Sequence, residues 1–258
     1  MMNEQFLEEL KQLAKQCLQE ALSRFKQSKD KLVVNASALT TEKRASIVKT
    51  PIPGHPSINT EIPEVGRFIA LVADMRDSTD HLLRIEGNEK RPQKFERVFY
   101  ETSVLLPVLA RCIKEEKGEV IEYLGDGVLG LFYIPDDNEV KEYINHSYFA
   151  AQKCIDSVDK IINPLLETEL KLPSLKIGIG MGYGDAIVTT IGLPENPIPK
   201  VIGECVYRAS KLSDLSNKIA VDKILYDTWP KDKNGTLQFK RYSGKSKVEG
   251  YEIEVSGR

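Results

Sequence analysis

Residues 67–74, RFIALVAD, run apolar from Phe68 to Ala73 and stop at an aspartate. A short apolar run bounded by polar residues reads as a buried strand, and it opens an alternation that continues along the chain. PQKFERVFYETSVLLPVLARCIKEEKG (92–118) carries helical spacing, with a kink expected at Pro107 and a stop at Gly118. EVIEYLGDGVLGLFYI (119–134) reads as two strands about a Gly-Asp-Gly turn, and residues 140–163 as a second amphipathic helix. LKIGIGMGYGDAIVTTIG (175–192) reads as another strand pair and ECVYRASKLSDLS (204–216) as a third helix, with short strands at 236–242 and 248–255. Helices interleaved with strands and tight hairpins restrict the fold to α+β, with helices packed on a largely antiparallel or mixed sheet.

Ahead of this domain, Leu7, Leu10, Ala14, Cys17, Ala21 and Phe25 recur at helical spacing, so residues 1–30 are expected to form an amphipathic helix. Its apolar stripe must pack on the main domain or on its own copy in a second chain. Residues 31–66 contain Pro51, Pro53, Pro56 and Pro63 and read as an extended connector, leaving 67–258 as the compact domain. With 258 residues, 41% of them hydrophobic, one sizeable core is within reach. A formal net charge of −2 leaves no electrostatic footprint for nucleic acid. No apolar run approaches the ~18 residues of a membrane span. Cys17, Cys112, Cys154 and Cys205 are separate in sequence, without metal-ligand spacing, which points to reduced, buried thiols and a cytoplasmic location. His55, His81 and His146 are scattered.

Two aspartates stand at strand ends. In LVADMRDST (71–79), Asp74 closes a strand and Arg-Asp-Ser-Thr follows before a helix-like stretch; in LGDGVLGLF, Asp126 stands in the turn. Asp-Gly suits a hairpin for backbone reasons alone. Brought together, the two carboxylates beside a backbone carbonyl form a hard oxygen site suited to Mg²⁺ or Mn²⁺ carrying a nucleoside triphosphate.

The ordered set of segments resembles the class III nucleotidyl cyclases. LVADMRDST is similar to the family's F-x-D-[IM]-x-x-[FS]-[ST], LGDGVLGLF to its Gly-Asp hairpin, and KVIGECVYRASKL to its x-x-x-G-x-x-V-N-x-A-x-R-L segment. KIGIGMGYGDAIVTTIG and YSGKSKVEGYEI resemble its I-G-I-x-x-G strand pair and its closing hairpin, so the likeness runs from Arg67 to about Val255. The resemblance implies a ferredoxin-like palm that works as a homodimer with composite sites. It implies two Mn²⁺ or Mg²⁺ ions held by Asp74, Asp126 and the Met75 carbonyl. The amides of residues 76–79, with Ser78 and Thr79, would hold the β- and γ-phosphates. The reaction implied is attack of the ribose 3′-oxygen on the α-phosphate with loss of diphosphate.

The sequence departs from the family where the base is read. The position four before the second metal aspartate is Lys in adenylate and Glu in guanylate cyclases, and here it is Glu122; the second base-reading position is Lys200. As a pair they match neither purine code. The family's transition-state Asn and Arg fall on Tyr207 and Lys211, with Arg208 one turn before Lys211 as an alternative cation. Val72 stands where the family often packs Phe on the purine. Lys245 and Lys247 read either as phosphate-binding residues or as solvated edge charges. Metal ligands kept beside a rewritten base pocket resemble the pyrimidine cyclases of bacterial anti-phage systems, which implies a uridylate or, second, a cytidylate cyclase feeding a cyclic-nucleotide effector. A purine cyclase and a catalytically degenerate binding module are the remaining readings.

Overall fold

The computed structural model describes residues 47–79, 94–231 and 236–255. The expected helix over 1–30, Cys17 and His81 lie outside them. The chain divides into two units. Of the described residues, the smaller contains 47–50, 55–65 and 187–201, the larger 51–54, 66–79, 94–186, 202–231 and 236–255.

In the smaller unit, β1 (Ile47–Lys49) pairs antiparallel with β2 (Ser57–Asn59). Residues read as connector therefore carry strand pairing. His55 is buried, with Nδ1 2.6 Å from Glu64 Oε2.

The larger unit is built on β3 (Glu64–Met75), which continues apolar to its end. Ile69, Leu71, Ala73 and Met75 join the core under the helices, so strand alternation puts Phe68, Ala70, Val72 and Asp74 on the opposite face. The helix α1 (Lys94–Glu115) runs through Pro107 as one element. It leads into β4 (Glu119–Tyr123) and β5 (Gly127–Tyr133), the hairpin expected about Asp126. Next, α2 (Val140–Ser157) ends in one π-helical segment, Val158–Ile162, and continues as α3 (Asn163–Leu170). The expected 140–163 helix is thus interrupted.

The stretch read as a strand pair at 175–192 is instead one strand, β6 (Ile177–Leu193), and its partner is β7 (Asn196–Ile202). Its glycines suggested a turn, but they serve packing. A Cβ on Gly178, Gly180 or Gly182 would lie 2.1, 2.0 or 2.3 Å from the carbonyl oxygens of Ser213, Ala209 and Cys205. These three glycines share one face of β6, and the helix α4 (Glu204–Leu212) rests its backbone directly on them. The remaining elements are β8 (Lys218–Asp222), α5 (Lys223–Thr228), β9 (Leu237–Arg241) and β10 (Gly250–Val255). The sheet order is β4-β5-β3-β6-β8-β10-β9, antiparallel at β3·β5, β4·β5, β8·β10 and β9·β10 and parallel at β6·β8. The expected mixed α+β sheet covered by helices is what the chain forms.

Candidate active site

The antiparallel register of β3 and β5 ends with Asp74 opposite Gly127. That pairing sets Asp126, the residue before Gly127, beside the tip of β3. A Cβ at 127 would lie 2.6 Å from Ala73 O and 2.9 Å from Asp74 Oδ1, so only glycine lets the Asp74 carboxylate lie flat against β5. Gly125 supplies a φ of +82° for the turn. The Asp74 carboxyl senses the charge of Asp126. Burial pushes the Asp74 carboxyl above its ordinary range, the guanidinium of Arg76 opposes that shift, and the negative charge of Asp126 adds to it. Arg76 donates to Asp74 Oδ2, and its Nε lies 3.4 Å from Asp74 O. A cation therefore already sits on this carboxylate.

Among the described residues no cluster of three or more His, Cys, Asp or Glu side chains could hold a metal ion by itself. The donor set nevertheless fits a hard cation. Mg²⁺ keeps waters and takes one or two carboxylates plus substrate phosphates, which matches two neighbouring aspartates at a strand tip. Asp74, Asp126 and the Met75 carbonyl would hold it; the Met75 side chain is 1% exposed and belongs to the core.

The phosphate cradle expected at residues 76–79 needs correction at its first member. The Arg76 amide donates to Lys176 O at 2.8 Å, extending the pairing of β3, and is spent. Asp77 follows with φ +61°, and Ser78 and Thr79 open a helical turn. Val72, two residues before Asp74 and on its face, is 2% exposed. Glu122 sits half-buried on β4 opposite Leu129, just after a register shift that sets Ile121 apart as a bulge. Lys200 is half-buried on β7, in the smaller unit.

The cationic candidates lie on α4 and the loop before β10. With Cys205 and Ala209 turned to the glycines of β6, Tyr207 and Lys211 share an outward face. Tyr207 is 59% exposed, and the Lys211 ammonium stands 5.6 Å from its ring centroid. Arg208 does different work. It donates to Asp222 Oδ2 and Glu204 Oε2 at 2.5 Å each and to Tyr183 O at 3.1 Å. Asp222 is fully buried and also caps α5 by accepting from Leu225 N at 2.8 Å. An arginine so engaged is a structural tie between α4, β6 and β8, which leaves Lys211 as the outward cation.

Two residues that sequence reasoning missed organise the closing loop. Tyr242 donates to Asp214, two residues past the end of α4, and Asp214 Oδ2 accepts from Lys245 N at 2.7 Å. Burial and the hydrogen bond to Asp214 push the Tyr242 phenol up to about 12. Lys245 and Lys247 are thereby presented, exposed, from a loop anchored to α4. Ser243 ties the same loop to Glu252 through its amide at 2.9 Å and its hydroxyl at 2.5 Å. Nothing in the local sequence around Asp214 announces these partners.

No protein-family model matches the chain. An adenylate cyclase from Anabaena cylindrica is 24% identical over 162 residues, 63% of this chain; the match spans 30% of that relative's length. Among solved structures, the chain is similar to the adenylyl cyclase CyaB from P. aeruginosa, with TM-score 0.59 and 17% identity over 76% of this chain and 97% of that one. The guanylyl cyclase Cya2 gives TM-score 0.54 and 18% identity over 73% and 90% of the two chains. The guanylate cyclase domain of RhGC from Catenaria anguillulae, solved in complex with GTP, gives 0.54 and 17% over 74% and 97%. These likenesses show the fold: the α+β architecture of class III cyclase catalytic domains.

Proposed function

We propose that the chain is a nucleotidyl cyclase that converts a nucleoside triphosphate to a 3′,5′-cyclic nucleotide and diphosphate, with a pyrimidine as the base. The observation that carries this reading is the pairing of Asp74 with Gly127. It sets two neighbouring carboxylates at one strand tip on a cyclase fold. Two Mn²⁺ or Mg²⁺ ions bound there would supply the positive charge that a phosphoryl displacement develops against.

This chain's residues do the rest. Asp74 and Asp126 would hold the ions that carry the triphosphate end, and an incoming cation would compete with Arg76 for the Asp74 carboxylate. Lys211, with Lys245 and Lys247, faces the phosphates; Lys acts there as a point charge rather than as a fork. Among the described residues no hydrogen bond or ion pair joins these lysines to Asp74 or Asp126. In this reading the sites are composite, as the resemblance to class III cyclases implies, and one chain's aspartates meet the partner's lysines in a homodimer. Glu122 and Lys200 read the base. As a pair they match neither purine code, and the resemblance to the anti-phage pyrimidine cyclases puts UTP, giving cUMP, first and CTP second. A cytoplasmic location, a cyclic-nucleotide effector and a role in antiviral defence complete the proposal. No helix among the described residues is long and apolar enough to cross a membrane.

Tyr207 in the family's Asn position and the commitment of Arg208 to Asp222 favour a second reading, a nucleotide-binding module without turnover. One experiment separates them. Purified protein is incubated with each of the four ribonucleoside triphosphates and Mn²⁺, and products are identified by mass spectrometry. Cyclic UMP or CMP above the purine products supports the proposal; ATP or GTP turnover in excess overturns the pyrimidine assignment. Binding with no cyclic product supports the module.

A further inference from the structure

The loop from Tyr242 to Gly250 is closed at its base by Tyr242 N, which donates to Gly250 O at 2.9 Å. Its first residues are fixed to β10. There Glu252, 3% exposed, accepts from the Ser243 amide and hydroxyl and faces the Lys218 ammonium at 2.6 Å. The part that carries Lys245 and Lys247 is tied to a different element. The Tyr242 hydroxyl donates to Asp214 Oδ1, lies 3.3 Å from Lys211 O and accepts from Ser246 N at 3.3 Å. Asp214 Oδ2 accepts from Lys245 N at 2.7 Å. One phenol and one carboxylate thus join the backbone that carries Lys211 to the backbone that carries Lys245 and Lys247. Gly244 lets the loop pass over this clasp, because a Cβ there would overlap Tyr242 Oη and Asp214 Oδ1.

We propose that Asp214 and Tyr242 are positioning residues, a clasp that holds the Lys245 ammonium beside Lys211 so that the two bind one polyphosphate chain. The inference rests on the reading of these lysines as phosphate-facing, and it gives two residues that touch no substrate control over the spacing of two that do. The tie lands on the end of α4 that carries Lys211 and reaches the Lys211 carbonyl itself. Its hydrogen bonds engage the Lys245 and Ser246 amides rather than the ammonium groups. Among the described residues Lys211, Lys245 and Lys247 form no ion pair, so their charges are left to an anion. Like charges gathered in one place repel, and the clasp supplies the restraint that holds them there until the anion arrives. Burial and the bond to Asp214 keep the phenol protonated up to about 12, so it remains a donor wherever the lysines are charged.

The test titrates inorganic tripolyphosphate into the full chain by calorimetry, at low salt and without divalent metal, so that turnover does not enter. Tyr242→Phe keeps the ring and removes the hydroxyl, and should weaken binding on the order of tenfold by opening both sides of the clasp. Gly244→Ala removes no hydrogen-bonding group and should act in the same direction. In a Lys245→Met background neither change should lower affinity by more than about twofold, because the clasp then has no ammonium to place. A merely structural role would subtract the same amount in both backgrounds. Equal losses with and without Lys245 overturn the proposal, as does a wild-type chain that does not bind tripolyphosphate.

Denaturant midpoints identify any variant that fails to fold, and the wild type then decides alone. Adding tripolyphosphate should slow hydrogen exchange in the peptide 243–248, which contains the Lys245 and Ser246 amides that donate to the clasp. Unchanged exchange there also overturns the proposal. Turnover is judged separately. Cyclic product alongside tripolyphosphate binding that Tyr242→Phe leaves unchanged sinks the clasp alone; clasp-dependent binding without cyclic product sinks the cyclase reading alone.

Discussion

At the tips of β3 and β5, two carboxylates share a site with Arg76 as the cation on Asp74, whereas along α4 and the closing loop the acids are each tied to partners within the fold. Asp222 is fully buried, yet it accepts from Arg208, from Leu225 N and, at 3.4 Å, from Tyr183 N. Burial works against the charge of Glu252, but Lys218 and Ser243 hold that carboxyl below its usual range. Burial raises both the Asp74 and the Asp222 carboxyl above the ordinary range, but their partners differ: Asp222 accepts from three donors, whereas Asp74 has Arg76 on one oxygen and the like charge of Asp126 beside it. The contrast is between an acid tied into the fold and an acid at a strand tip that an incoming cation would share with Arg76. A charge held against its own preference is one that an incoming cation stabilises.

The largest effect expected from this contrast is on turnover. Asp74→Ala or Asp126→Ala should lower cyclisation on the order of 10³-fold or more. The midpoint of denaturant unfolding should stay close to wild type, because removing one of two opposed carboxylates relieves repulsion. A variant that keeps its turnover would remove the functional half of the comparison. One that unfolds would show that these acids also build the fold.

The same substitution at Asp222 should behave in the opposite way. Asp222→Ala strips Arg208 of its buried partner and α5 of its cap, and should cost about 3–5 kcal/mol in denaturant unfolding. A loss below about 1 kcal/mol would mean that Arg208 is available for catalysis after all.

The smallest expected effect concerns the loop. Because the Tyr242 phenol is raised to about 12, its contribution to stability is fully present below the ordinary tyrosine range and is lost as pH climbs through the folded value. Discounted for solvent screening, the loss is on the order of 1 kcal/mol. It should appear as a steeper alkaline fall in wild-type stability than in Tyr242→Phe. Identical profiles would show that the Asp214 contact does not anchor the lysine-bearing loop.

What the sequence disclosed follows the reach of each interaction. Asp74 and Asp126 were legible because a strand end and a Gly-Asp-Gly turn are local patterns. The strand β7 was not, because Pro197 and Pro199 argue against a ladder and are tolerated here on a strand that, among the described residues, pairs with β6 alone. The glycines of β6 looked like turn formers because a sequence cannot show that a helix backbone lies 2.0 Å from the place a Cβ would occupy. Arg208 looked like a catalytic cation because its partner Asp222 lies on another element, 14 residues on.

The central claim is that the aspartates of one chain and Lys211 of a second chain build one composite site. Asp126→Ala and Lys211→Met homodimers are each assayed for cyclic nucleotide and then mixed under conditions where chain exchange is verified by mass. In a mixed dimer, one composite site carries both lesions and the other carries none. Mixing should therefore restore up to about half of wild-type activity per mixed dimer. Two inactive parents whose verified mixture stays inactive would show that each site is built from a single chain.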